Sequence, residues 1–236
     1  MNKFIKGYGS DEVGTGVYLL PSVYCCVFLD EKKFLEILKI CKKKNLVIKD
    51  SKELYSNKRK KIYKVFSEIV DYEVYVLSNQ EYNFFEQEYH WNDNVKKAFA
   101  HFKVFTNLKK KINKDEPWSI DKFCEIASFK KYFFQIKKTF KENNFGWIEF
   151  ENINLVSYGD KKNLAIALAS IFARTIFEEE KVKLEKKYCL RFPLGSKTTE
   201  IIEFVKKFKE KYSLEEFLNL SKKKYKTTEL FINIFK

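Results

Sequence analysis

Gly9-Ser10-Asp11-Glu12-Val13-Gly14-Thr15-Gly16 is the stretch on which the reading of this chain turns. Glycine is scarce, seven in 236 residues, yet Gly7, Gly9, Gly14 and Gly16 crowd around two adjacent carboxylates. Neighbouring side chains on a regular strand point to opposite faces of the sheet. Asp11 and Glu12 can therefore serve one site only if the strand ends or bends there, which the glycines permit. The plainer alternative is a strand, a glycine turn and two solvated acids.

Working outward, Phe4 to Tyr8 reads as a short strand leading into the motif, and Val17 to Leu29 as a β-rich run paired back through a tight turn. Glu31 to Lys43 and Asn57 to Val70 have helical spacing, and Asp71 to Ser78 alternates as a strand. Trp91 to Ile112 reads as a long helix with Asn92 or Asp93 as its cap. Trp118 to Asp121 and Ile153 to Ser157 read as strands, Asp160 to Tyr188 as a long helix, and two further helices run to about Asn219. The expected class is α/β, a central mixed β-sheet flanked by helices with a helical C-terminal extension. The expected division is a catalytic domain over 1–190 and an extension over 191–236 packed on it.

Two more acids fall where strands stop. Asp121 ends an apolar strand, on the rim where α/β proteins place their sites, although taken alone an N-cap or turn role is the simpler reading. Asp160 lies between a strand and a long helix, where a plain N-cap is the alternative. The helix after it repeats Ala165, Ala169 and Ala173 every four residues, a stripe of small residues that lets a helix lie close to a sheet. Four carboxylates meeting without His or Cys would suit hard cations such as Mg2+ or Mn2+.

Composition bounds the class. The chain is 45% apolar and 33% charged, a globular balance. No apolar run is long enough to span a bilayer, so no membrane association is expected. Residues 1–8 lack the apolar core of a signal peptide. Five cysteines without a CxxC pair argue against disulfides or zinc and for a reducing, cytoplasmic setting. The net charge of +14 favours a polyanionic partner, although only three of 46 positive residues are arginine, a lysine excess that A+T-rich coding also produces.

The motifs resemble the type 2 ribonuclease H family, and within it ribonuclease HIII more than ribonuclease HII. Gly9 to Gly16 is similar to the family's opening motif, with Thr15 between glycines in the HIII form. Lys49-Asp50-Ser51-Lys52 resembles its DSK segment, and Asn94, Lys97, Ala98 and His101 the HIII spacing N-x-x-K-A-x-x-H. Ile120 to Cys124, Ala167 to Arg174 and Phe192 to Ser196 match three further elements in order. The resemblance implies a ribonuclease H-like fold with Asp11, Glu12, Asp121 and Asp160 as catalytic acids holding two Mg2+ or Mn2+ ions. It implies that Gly14, Thr15 and Gly16 offer backbone groups to a ribose 2′-OH, and that Ser51 and Lys52 hold phosphates. Asn94, Lys97 and His101 would share a helix face toward the substrate strand, or else be a capped, solvated face. The expected substrate is an RNA/DNA hybrid, cut by a monomer to leave 5′-phosphate and 3′-hydroxyl ends.

The departures are specific. Val17 stands where HIII proteins carry an acid, Leu20 where they carry glycine, and Gly159-Asp160 is nearer the HII form. Only ten residues precede Asp11, where HIII proteins usually carry a substrate-binding domain, so the lysine-rich body is expected to supply affinity. No Gly-Tyr-Pro segment like that with which HII reads an RNA–DNA junction is found; Tyr188, Tyr212 or Tyr225 could stand in. The alternatives are HII-like incision at single ribonucleotides in duplex DNA, or a non-catalytic basic hybrid-binding protein.

Overall fold

A computed structural model describes residues 4–140 and 152–236. The chain gathers into two compact units. The first comprises Met1–Val13, Val23–Tyr75 and Asn92–Thr175, and the second Gly14–Ser22, Val76–Trp91 and Ile176–Lys236. The division falls inside a helix and recruits two earlier segments, so it does not follow the expected boundary at 190.

The first unit carries the sheet, apart from a few strand-end residues. Its strands are β1 (Gly7–Val13), β2 (Ser22–Leu29), β3 (Asp71–Leu77), β4 (Trp118–Asp121) and β5 (Ile153–Val156), in the order β3-β2-β1-β4-β5. β1 pairs antiparallel with β2, Gly7 opposite Leu29 and Val13 opposite Val23. On its other side β1 runs parallel to β4, which runs parallel to β5. The sheet is mixed, as expected. β2 is buried along its whole length, which is why Val23-Tyr24-Cys25-Cys26-Val27-Phe28 reads as an unbroken apolar run.

Helices α1 (Glu31–Lys44), α2 (Ser56–Phe66), α4 (Asp93–Ile112), α5 (Ile126–Thr139) and α6 (Gly159–Lys162) belong to this unit; α3 (Asn79–Tyr89) belongs to the second. α7 (Leu164–Tyr188) starts in the first unit and ends in the second, which also holds α8 (Thr198–Phe208), α9 (Leu214–Leu220) and α10 (Thr228–Phe235). Asn92 caps α4 by accepting from the amides of Asn94 and Val95 at 3.0 and 3.1 Å. No helix among the described residues is long and apolar enough to cross a membrane.

Three local expectations are corrected. β1 runs through Asp11-Glu12 as regular strand, and the turn comes after it, at Gly14 with φ +85°. Residues 14–21 make a longer connection than the tight turn expected. The helix expected from Asp160 is two: Asn163 is extended and its Oδ1 accepts from Ala165 N at 2.8 Å, so it caps α7 and leaves Asp160 on the single turn of α6.

The alternation along β1 sets up everything that follows. A Cβ on Gly9 would lie 2.5 Å from Ile166 N and 2.6 Å from the Cβ of Ala165, so α7 lies with its backbone against the strand at this point. Ser10, on the opposite face, hydrogen-bonds His101 of α4. Gly9→Ala should therefore force strand and helix apart and destabilise the fold by about 1–3 kcal/mol, the range of an overpacked core. Urea unfolding measures it; a change under about 0.5 kcal/mol, the scale of a surface substitution, would show that the close approach is absent.

Candidate active site

The acids collect at the carboxyl ends of three adjacent parallel strands. The β1–β4 register places Ser10 beside Ile120, so Asp11 and Asp121 are the next residues along. Asp121 pairs with Val156, and four residues later comes Asp160. Gly159 N donates to Asp121 Oδ1 at 2.8 Å, which ties the corner carrying Asp160 to the end of β4.

Glu12 lies on the α4 face. His101 Nε2 is 3.0 Å from its Oε2 and Lys97 Nζ is 3.3 Å from its Oε1. Burial opposes ionisation of Glu12, but the hydrogen bond and charge of His101, joined by Lys97, prevail and hold its carboxyl at about 2. His101 is itself fixed from behind. Trp118 Nε1, a donor only, bonds Ser10 Oγ at 3.0 Å, and the other lone pair or the hydroxyl hydrogen of Ser10 meets His101 Nδ1 at 3.2 Å. The imidazole stacks on Phe123 with centroids 5.5 Å apart.

Asp11 lies on the α7 face, bonded by the Ser170 side chain and by Glu12 N at 2.7 Å. Ser170 Oγ also lies 2.9 Å from Ser51 Oγ; with its one hydrogen on Asp11, it accepts from the Ser51 hydroxyl. Burial, then the charge of Glu12, raises the Asp11 carboxyl well above the usual range. Burial and the charge of Glu12 also raise Asp121, against the Gly159 hydrogen bond. Asp160 is pushed up to about 6 by burial and by Asp50, with which it shares a hydrogen bond, and by Asp121. Lys52, exposed nearby, lowers both Asp121 and Asp160 by its charge. The four acids thus form an electrostatically linked row rather than a closed cage, and no three His, Cys, Asp or Glu among the described residues are already set around one point. The donor set still fits a divalent cation: the oxygens are hard, and burial with neighbouring carboxylates makes three of the four resist ionising even with Lys52 beside two of them.

Several expected substrate contacts take other roles. His101 is fully buried and spends both ring nitrogens on Ser10 and Glu12, so it positions Glu12 instead of facing the substrate strand. Lys97 is committed to the same carboxylate. Ser51 is buried against Ser170, which leaves Lys52 as the exposed member of that pair. Asn94 is half-buried, its Nδ2 3.5 Å from Tyr132 Oη. Gly14, Thr15 and Gly16 fall in the second unit, as do Tyr188, Tyr212 and Tyr225. Those tyrosines are engaged in ring packing: Tyr188 lies 5.0 Å from Tyr212, and Tyr225 lies 5.4 Å from Tyr18.

Asp50 and Ser170 were missed as site residues. Asp50 and Ser170 sit inside motifs already noted, and only their neighbours in space give them a role. Tyr158 is 72% exposed, precedes Gly159-Asp160, and has φ +56°, a left-handed conformation unusual for a bulky residue.

Comparison with known proteins follows the same lines. A family model described as Ribonuclease HII matches residues 8–228. Ribonuclease HIII of Bacillus mycoides is 34% identical over 190 residues, 80% of this chain and 56% of that protein. The chain thus spans little more than half the length of the curated relatives it matches. The crystal structure of Bst-RNase HIII in complex with Mn2+ superposes with a TM-score of 0.82 at 27% identity, covering 97% of this chain and 70% of that one. Ribonuclease H2 of Pyrococcus horikoshii, at 20% identity and TM-score 0.72 over 98% and 99% of the two chains, shares the fold.

The row of raised carboxyls fixes a pH dependence. An acid whose folded pKa lies above its unfolded value binds more protons in the folded state between the two values, so stability falls as pH rises through that window. For Asp160 the window runs from the model-compound value of 3.8 to about 6. The depressed Glu12 works the other way, its contribution being lost only as pH falls from 4.5 toward about 2. In chelator, the Tm should drop between about pH 4 and pH 6, and Asp160→Asn should shrink that drop. An equal drop in the variant would remove Asp160 from the linked row.

Proposed function

Since this chain belongs to the ribonuclease HII family, with its likeness running to ribonuclease HIII, we propose that it is an endoribonuclease that hydrolyses the RNA strand of RNA/DNA hybrids using divalent cations held by Asp11, Glu12, Asp121 and Asp160. The observation that carries the reading is the row of acids at the ends of β1, β4 and the β5–α6 corner, three of them raised by burial and by neighbouring carboxylates. The Mn2+ complex of the similar Bst-RNase HIII supports the choice of cation.

The chain's own residues divide the work. Lys97 and His101 keep Glu12 ionised and aimed, so it is an anion before any cation arrives. Ser170 and the Glu12 amide orient Asp11, and Gly159 N orients Asp121. Lys52 stands exposed beside the acids as a phosphate contact. When bound, Mg2+ or Mn2+ supplies the positive charge that stabilises the attacking water and the departing 3′ oxygen at phosphorus. Gly14, Thr15 and Gly16 read the ribose 2′-OH through backbone groups, the atom that separates RNA from DNA. We place the protein in the cytoplasm as a monomer; its five cysteines are all free, which suits a reducing compartment.

Asp11→Asn removes one carboxylate charge and should lower hydrolysis of a labelled hybrid by at least ~100-fold, the scale of losing an electrostatic catalytic group. Hybrid binding should survive, because lysine–phosphate contacts supply it. Cleavage at the wild-type rate with Mg2+ present would sink the mechanism.

Preference between continuous hybrid and a single ribonucleotide in duplex DNA separates the HIII side from the HII side. The tyrosines that could have read an RNA–DNA junction are packed against other rings, which favours the continuous hybrid. The relative kcat/KM on the two duplexes, with Mg2+ and with Mn2+, should favour it under both. Equal or better cutting at the single ribonucleotide would assign the chain to the HII side.

A further inference from the structure

The second unit contains a lysine with no exposed surface. Lys222 Nζ bonds Gly14 O at 2.7 Å, Ser22 Oγ at 3.1 Å and Thr15 O at 3.3 Å, three acceptors for an ammonium that has three hydrogens. Its Nζ also lies 5.4 Å from the centre of the Tyr82 ring. Taking an ammonium wholly out of water is costly unless its partners are held in place.

The backbone of Lys222 is pinned before its side chain reaches the turn. Lys222 N donates to Tyr18 O at 3.1 Å. Asn79 and Asn83, both buried and one turn apart on α3, grip the flanking chain. Asn79 Nδ2 bonds Leu220 O, Asn83 Nδ2 bonds Ser221 O at 2.8 Å, and Lys223 N bonds Asn83 Oδ1 at 2.9 Å. Two buried asparagines thus hold a four-residue segment whose one inward cation points at Gly14-Thr15-Gly16.

The effect on that turn follows from polarity. Gly14 O also accepts from Val17 N at 3.1 Å, closing a four-residue turn. With the carbonyls of Gly14 and Thr15 drawn inward to Lys222, the intervening peptide dipoles point their N–H ends outward. Gly16 is exposed and has no heavy atom within 4 Å of where a Cβ would stand, so a ligand can reach the backbone there. Gly14 is not free to relax, since its φ is +85° and a Cβ would meet Pro21 O at 2.6 Å.

We propose that Lys222 is a positioning residue for RNA recognition, its ammonium holding the Gly14 and Thr15 carbonyls inward so that the turn's amides face a ribose hydroxyl. The proposal rests on the reading of Gly14–Gly16 as the 2′-OH contact. Lys222 touches no substrate and acts through the turn, so it should govern KM and ribose discrimination rather than the chemical step.

The test is steady-state cleavage of an RNA/DNA hybrid and of a set of hybrids each carrying one 2′-deoxy substitution near the cut. Wild type should lose roughly tenfold in kcat/KM on the most sensitive member, about one hydrogen bond's worth. Lys222→Met should raise KM on the unmodified hybrid roughly tenfold, hold kcat within about threefold, and flatten the 2′-deoxy response. Lys222→Gln, which restores amide donors without charge, should recover part of both, and carries the test if Lys222→Met does not fold. A folded variant, checked by circular dichroism, that keeps wild-type KM and 2′-deoxy sensitivity overturns the role of Lys222 and leaves the turn's reading intact. A wild-type enzyme indifferent to every 2′-deoxy substitution overturns the reading of the turn, and the proposal with it.

Discussion

At Gly9 the backbone of α7 meets β1 at a distance that no side chain would allow, with Ile166 N only 2.5 Å from the position of a Cβ. That contact fixes how the acids are served. Asp11 is two residues along the same face and so receives Ser170, one turn further along α7. Ser10 and Glu12 take the other face and receive His101 and Lys97 of α4. Adjacent carboxylates on an unbent strand end up in one row because each face of the sheet has its own helix to hold one of them. β4 and β5 then add Asp121 and, around the α6 corner, Asp160.

The electrostatics of the row are deliberately unequal. Glu12 is held low by its hydrogen bond with His101 and by Lys97, and stays ionised through the physiological range. At Asp11, Asp121 and Asp160 burial and neighbouring carboxylates outweigh the hydrogen bonds to Asp11 and Asp121 and the charge of Lys52 beside the last two, and all three resist losing their protons. A buried carboxylate whose charge is not balanced costs stability, and a divalent cation balances several at once. Elsewhere a buried cation serves the backbone instead, Lys222 Nζ holding the Gly14 and Thr15 carbonyls.

The mixed sheet and the strand-end positions of Asp121 and Asp160 were legible because each follows from a local pattern: alternation, a break in apolarity, a stripe of alanines. What was not legible lay in pairings across the chain. His101 carried a motif signal but no sign that it is buried; that depends on Ser10 and Trp118, 91 and 17 residues away. Lys222 looked like one of a run of three lysines, and its neighbours Lys223 and Lys224 are indeed exposed. Helix α3 was passed over because Tyr82, Asn83, Phe84 and Phe85 give no clear apolar stripe, and two of its inward positions are asparagines bound to backbone. The break at Asn163 was hidden because asparagine capping and asparagine inside a helix look alike in sequence.

The central claim is that this row of carboxylates, ordered by α4 and α7, is a cation site. Crystals grown with Mn2+ would test it by anomalous scattering at the manganese edge. The account predicts two peaks about 4 Å apart, by the geometry of two-metal sites, held among Asp11, Glu12, Asp121 and Asp160. Peaks confined to surface carboxylates, with Asp160 still hydrogen-bonded to Asp50, would contradict it.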